Sequence, residues 1–152
     1  MHVESCDHFG IRSHVCQLGD SEIWLAQQTQ NITWTQTGTI PQVNIHYSTN
    51  TGVDWTAMTT SYAGGSPYGW LIPVAAIGAQ TKVKVQKTGD ANVFDTGPDG
   101  GTGVFEIKPS LKITSPNDGT EVWRVGESRN VTWQMNGSIA TADLQYSTDG
   151  GS

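Results

Sequence analysis

Residues 22–52 read EIWLAQQTQNITWTQTGTIPQVNIHYSTNTG, and residues 121–151 read EVWRVGESRNVTWQMNGSIATADLQYSTDGG. The second stretch follows the first at a constant offset of 99 positions, without a gap. Glu22, Trp24, Asn31, Thr33, Trp34, Gly38, Ile40, Tyr47, Ser48, Thr49 and Gly52 all recur as the same residue type. Agreement of that length at fixed spacing marks an internal repeat, with one whole module and the opening of a second. The period is too long for a stacked solenoid and suits small domains arranged in a string.

The repeated stretch is patterned for strands. Val43, Ile45 and Tyr47 alternate with Asn44, His46 and Ser48, and Ile32 and Trp34 alternate with Thr33 and Thr35. The first set in each case is expected to face a core and the second to face water. The turn after residue 48 is Thr-Asn-Thr-Gly, and its second copy, Thr-Asp-Gly-Gly, is a stronger turn signal.

Outward from there, strands are expected at residues 23–26, 31–35, 43–48, 54–59, 68–74, 81–88 and 103–108. Trp55, Trp70, Val83, Val85 and Phe105 are expected to supply inward faces. Residues 89–103, rich in Asp and Gly, read as mostly turn, and a bulge near Val104 is expected to bring Phe105 and Ile107 inward. About seven short strands separated by Gly, Asn, Asp and Pro turns, with no credible helix, predict an all-β sandwich of immunoglobulin-like or fibronectin-like type.

The chain then divides into an irregular N-terminal segment at 1–18, a complete sandwich at 19–108, and a truncated second copy at 109–152. The second copy should place strands at 111–114, 121–125, 130–134 and 142–147. It stops inside a strand–turn–strand, so a fragment with further modules downstream is expected. Half a sandwich exposes an apolar sheet face, which predicts that 111–152 is unstable or sticky in isolation. The joint, Lys108-Pro109-Ser110, is short and stiffened by Pro109.

Composition narrows the function. Lys and Arg number 8 against 14 Asp and Glu, a net charge of -6. That balance argues against a nucleic-acid partner, which calls for clustered positive charge. No run of 18 apolar residues is present to span a membrane, and the first residues lack the basic start and apolar run of a secretory signal. Cys6 and Cys16 both precede the repeat; a small loop-closing disulfide is compatible with their spacing, and neither module depends on it.

The Glu-x-Trp, Asn-x-Thr-Trp and Tyr-Ser-Thr-(Asn/Asp)-x-Gly marks resemble a known module. So do Ser115-Pro116-Asn117-Asp118-Gly119-Thr120-Glu121-Val122-Trp123, Tyr68-Gly69-Trp70-Leu71-Ile72-Pro73 and Gly103-Val104-Phe105-Glu106-Ile107. Together they resemble the extracellular domain of the Ser/Thr-rich GPI-anchored membrane family, of fungal cell-wall glucan-synthesis type, in the tandem form carried by bacterial surface and secreted proteins. The resemblance covers roughly residues 19–152. It implies an immunoglobulin-like sandwich at the cell surface and carries no catalytic residues across. The first copy departs from it by lacking the Ser-Pro-Asn turn and by having Thr51 where the second copy has Gly150.

Six tryptophans are the most conspicuous candidates for function. Exposed on a sheet, a matched pair would suit stacking on sugar rings; turned inward, the same residues fill a core without disulfides. Trp34 alternates in phase with Ile32, which favours the core. Trp24 and Trp123 sit on a short strand near an edge and are the candidate carbohydrate contacts. Asp90, Asn92, Asp95 and Asp99, with Asn117 and Asp118, are oxygen ligands in turns, but they lack calcium-loop spacing and read as turn formers. Cys6, His8, His14 and Cys16 are zinc-ligand types without a zinc-knuckle spacing. Asn31, Asn130 and Asn136 head glycosylation tripeptides. Lys82, Lys84 and Lys87 read as the guard of an edge strand in preference to an anionic-polymer site.

No catalytic, cofactor or metal residues are assigned, and no enzyme is expected. The expected function is a non-catalytic structural, spacer or adhesive module of a larger cell-surface or secreted protein. Its partners would be neighbouring modules of the same polypeptide and cell-wall polysaccharide, without nucleic acid or membrane insertion. The alternative is a carbohydrate-binding module appended to a polysaccharide-active enzyme, and exposed aromatic rings on one face would favour it.

Overall fold

The computed structural model describes residues 22–98 and 103–150 of the 152. The segment 1–18, with Cys6, His8, His14 and Cys16, lies outside the described residues, as does Asp99. The described chain is all β apart from a three-residue 3-10 turn, Val74–Ala76. Its strands are β1 (Ile23–Leu25), β2 (Thr29–Ile32), β3 (Val43–Ser48), β4 (Thr56–Tyr62), β5 (Tyr68–Leu71), β6 (Gly78–Lys87), β7 (Phe94–Gly97), β8 (Phe105–Lys108), β9 (Ser110–Ser115) and β10 (Thr132–Asn136).

The largest sheet runs β1-β8-β6-β3-β4, with β7 also on β6. It is mixed: β1 lies parallel to β8, and the other pairs are antiparallel. One side of β6 is shared between two partners. Gly78 and Thr81 pair with β8, and Val83 to Gln86 pair with β7. A second sheet is β2 with β5, where Gln30 faces Trp70 and Ile32 faces Tyr68. A third is β9 with β10.

Side chains of the first two sheets meet in one core. Ile32, Trp70 and Ile72 come from β2, β5 and the residue just after β5; Ile45, Tyr47, Val83, Val85, Phe105 and Ile107 come from β3, β6 and β8; Trp24 comes from β1. The alternation expected of β3 and β6 holds, with Val43, Ile45, Tyr47, Val83 and Val85 all buried. A ladder of rings runs through this core. Phe105 lies 4.7 Å from Trp24, Trp24 lies 6.2 Å from Trp70, and Trp70 lies 5.2 Å from Tyr47.

Several expectations need correction. Strand β2 ends at Ile32, two residues before Trp34. Trp34 is nevertheless buried, and its backbone N–H donates to Ser66 Oγ at 2.9 Å. Trp55 lies before β4 and outside the core cluster, because its ring turns to the outer side of the sheet, beside Lys84. Residues 89–103 contain β7, which the Asp/Gly content hid. Phe105 and Ile107 are two apart on β8, so ordinary alternation buries both; the register shift in this pairing lies on β6, between Gly78 and Thr81, and not at Val104. Strand β6 is no edge: β3 covers one side and β7 with β8 the other, so its lysines guard no open ladder.

Among the described residues after Pro109, only β9 and β10 form, and β10 lies two residues later than expected. Residues 121–125 and 142–147 are not strands. The reason is pairing. In the first copy the equivalent of 121–125 rests on β8, and the equivalent of 142–147 lies between β4 and β6. Without ladder partners an extended segment satisfies its N–H and C=O groups with water.

The joint is tightly made. Ser110 Oγ donates to the Ala26 carbonyl at 2.7 Å and accepts from Asn136 Nδ2 at 3.0 Å. Gly137 closes against it with φ +95°; a Cβ there would lie 2.5 Å from Ile77 Cδ1 and 3.1 Å from Pro109 Cβ.

Candidate functional site

Trp24 and its counterpart Trp123 occupy different surroundings. Trp24 is 3% exposed, packed on Phe105 and Trp70, and offers no ring face to a ligand. Trp123 is 44% exposed. The same contrast holds at Trp34 (5%) and Trp133 (39%), and at Tyr47 (8%) and Tyr146 (92%). Trp123, Trp133, Leu111, Ile113, Leu144 and Tyr146 line an open apolar groove of about 610 Å³. Its walls carry one carboxylate, Asp143.

Trp123 also borders a shallower depression with Pro116, Asn117, Gly119 and Glu121. The carboxylate of Glu121 accepts from the backbone N–H groups of Asn117 (2.6 Å), Asp118 (3.4 Å) and Gly119 (3.1 Å). Successive N–H groups converging on a carboxylate form an anion nest, here filled from within. This gives Glu121 a local role as the clasp of the turn that precedes it. The Thr120 hydroxyl and backbone N–H hold Asp118 below the usual carboxylate range. At the matched position, Oε2 of Glu22 is buried without a hydrogen bond, and the turn that would precede it lies outside the described residues.

The Asp and Asn turns behave as turn formers. Asp90 accepts from the Asn92 N–H at 3.1 Å and stands 3.8 Å from Lys87 Nζ. Asp95 caps the Thr96 N–H at 2.8 Å. Among the described residues no group of three His, Cys, Asp or Glu side chains is placed to hold a metal, and no helix is long and apolar enough to cross a membrane.

The turn after β3 and the turn at residues 147–150 share local geometry. Ser48 Oγ donates to Asn50 Oδ1 at 2.8 Å and accepts from the Asn50 N–H at 3.2 Å. Ser147 Oγ donates to Asp149 Oδ1 and accepts from the Asp149 N–H at 3.2 Å. Thr51 and Gly150, at matched positions, both have positive φ, 59° and 80°; so do Gly38 and Gly137, at 82° and 95°.

One cluster was not assembled from the sequence. On the outer face of the largest sheet, His46, Lys84 and Thr96 form one cross-strand row, and Asn44, Gln86 and Phe94 form the next. Lys84 Nζ sits 4.5 Å above the Trp55 ring. Burial, and then the charge of Lys84, hold the His46 imidazole below its ordinary value. Alternation turns His46 outward; which residues become its neighbours depends on pairing, which single-strand patterns do not carry.

Compared with family models, curated proteins and solved structures, the chain matches none.

Proposed function

We propose that the chain is a non-catalytic structural, spacer or adhesive piece of a larger cell-surface or secreted protein, built from tandem immunoglobulin-like sandwiches. The observation that carries this reading is the joint. Ser110 ties Ala26 of the first copy to Asn136 of the second, and Gly137 lies against Pro109 and the tip of Ile77, which a side chain there would have to displace. A joint of that kind transmits orientation from one module to the next, which is what a spacer requires.

The matched serine turns and matched positive-φ positions support the tandem part of the reading. The two-sheet core, with an edge strand running parallel to the last strand, supports the sandwich part. Neighbouring modules of the same polypeptide are the primary partners.

A second reading, sugar binding in the apolar groove, has Trp123, Trp133 and Tyr146 in its favour. The spacer is preferred because the residues at the same positions in the first copy form a core. Titration with soluble neutral glucans, followed by tryptophan emission, separates the two readings. The spacer predicts no change. A saturable change abolished by Trp123→Ala would replace it with the sugar-binding reading.

A further inference from the structure

The outer face of the largest sheet concentrates positive charge on a chain of net charge -6. Lys82 and Lys84 project from β6, two residues apart and so about 7 Å along the strand. The edge-guarding role that would explain them does not apply, because β6 is paired on both sides. Among the described residues neither lysine is in an ion pair; Lys87 and Lys108 spend theirs on Asp90 and Glu106.

Among the described residues, the cross-strand rows that hold these lysines contain no carboxylate. The row through Lys84 is His46 and Thr96, and the row beside it is Asn44, Gln86 and Phe94. Asp95 pairs with Val85 and so has the opposite parity, and Asp54 is held by Asn50 at 2.8 Å. Lys84 is fixed over Trp55 at 4.5 Å, and the stem of Lys82 approaches Gly52 beside the same ring. His46 Nδ1 is buried with no hydrogen-bond partner. Phe94 is half exposed at the end of its row. Held cations with an exposed ring one row further along match an extended ligand that carries anionic groups at intervals on a partly apolar body.

We propose that this face binds an acidic polysaccharide, with the carboxylate or sulfate of one sugar unit seated between Lys82 and Lys84 and a later unit of the same glycan resting on Phe94, one row beyond Lys84. Sugar acids and sulfated sugars share the anionic chemistry that the lysines recognise. Nucleic acid fits less well, because a chain of net negative charge offers it only this short stretch. All the residues lie in the first copy, so the proposal is independent of the second copy and of the tandem reading.

The test is calorimetric titration of the full chain with a polyuronate, a sulfated glycan, a neutral dextran and a single-stranded oligonucleotide. Binding is expected for at least one acidic glycan, and its identity decides between carboxylate and sulfate. Lys82→Gln/Lys84→Gln should weaken that binding about tenfold or more, as loss of two charge-assisted contacts requires. Phe94→Ala should weaken it about threefold while leaving its salt dependence unchanged. Lys112→Gln, on β9, is the control and should change nothing. Lys84→Arg keeps the charge and should retain most of the affinity, which separates loss of a contact from loss of fold. The proposal is overturned if the wild-type chain binds neither acidic glycan, if the double variant binds as well as wild type, or if the oligonucleotide binds as tightly as the glycans.

Discussion

Residues 22–52 and 121–150 carry the same pattern and end in different states. In the first, Trp24, Trp34, Ile45 and Tyr47 are buried under β5, β6 and β8. In the second, Trp123, Trp133, Leu144 and Tyr146 stand in water along an open groove. The local features are the same in both: the serine turn, the positive φ at the matched glycines, and the alternation of residue types. Local sequence therefore sets turns and the side to which each residue points. Burial, and even the existence of a strand, depends on partners tens of residues further along the chain.

The comparison can be broken most sharply at the matched tryptophans. Trp34→Ala should lower stability by about 3–5 kcal/mol in urea unfolding, as for other large aromatic deletions in cores. Trp133→Ala should change it by less than about 0.5 kcal/mol, the usual range for exposed sites. Similar losses at both positions would mean that the second copy is packed as well as the first.

The serine turns come next. Ser48 also accepts from the Gly52 N–H at 2.9 Å, and it is buried. Ser48→Ala should cost about 1–2 kcal/mol, because it leaves buried donors unmatched. Ser147→Ala, in water, should cost under about 0.5 kcal/mol by the same measurement.

Thr51 offers the reverse experiment. It is a β-branched residue at φ 59°, where the second copy has Gly150. Thr51→Gly relieves a left-handed strain worth about 1–2 kcal/mol and gives back part of it in unfolded-chain entropy. A net gain of about 0.5–1 kcal/mol is expected in the urea midpoint.

The smallest effect is at His46, whose matched residue is Gln145. Burial first, and Lys84 second, lower its folded-state value below the ordinary 6.5. The unfolded chain then binds the proton more readily than the folded one. The stability His46 contributes is complete above the ordinary value and is lost as pH falls through the depressed folded value. His46→Gln should flatten that part of the stability–pH curve and leave the neutral-pH value nearly unchanged.

Much of the fold was legible because strand parity is written in a period of two. Val43, Ile45, Val83 and Val85 were assigned inward, and they are buried. Three things were not legible. Strand β7 sits in a stretch whose Asp and Gly content signals turn, and it is a strand by its pairing with Val83 to Gln86 of β6, a distant contact that local composition does not carry. Trp55 was assigned to the core by its size, yet it lies on the outer face, where Lys84 covers it. The lysines of β6 resembled edge protection because a single strand does not reveal whether it has neighbours on both sides. The candidate binding face was hidden for that same reason.

The most direct measurement is hydrogen exchange on a chain extended after Ser152 by a graft of residues 54–108, the part of the first copy that covers its repeated stretch. If the two stretches are the same module, differing only in cover, amides 142–147 become protected to the level of Val43–Ser48. Amides in 142–147 that exchange as freely in the extended chain as in the original would contradict the account.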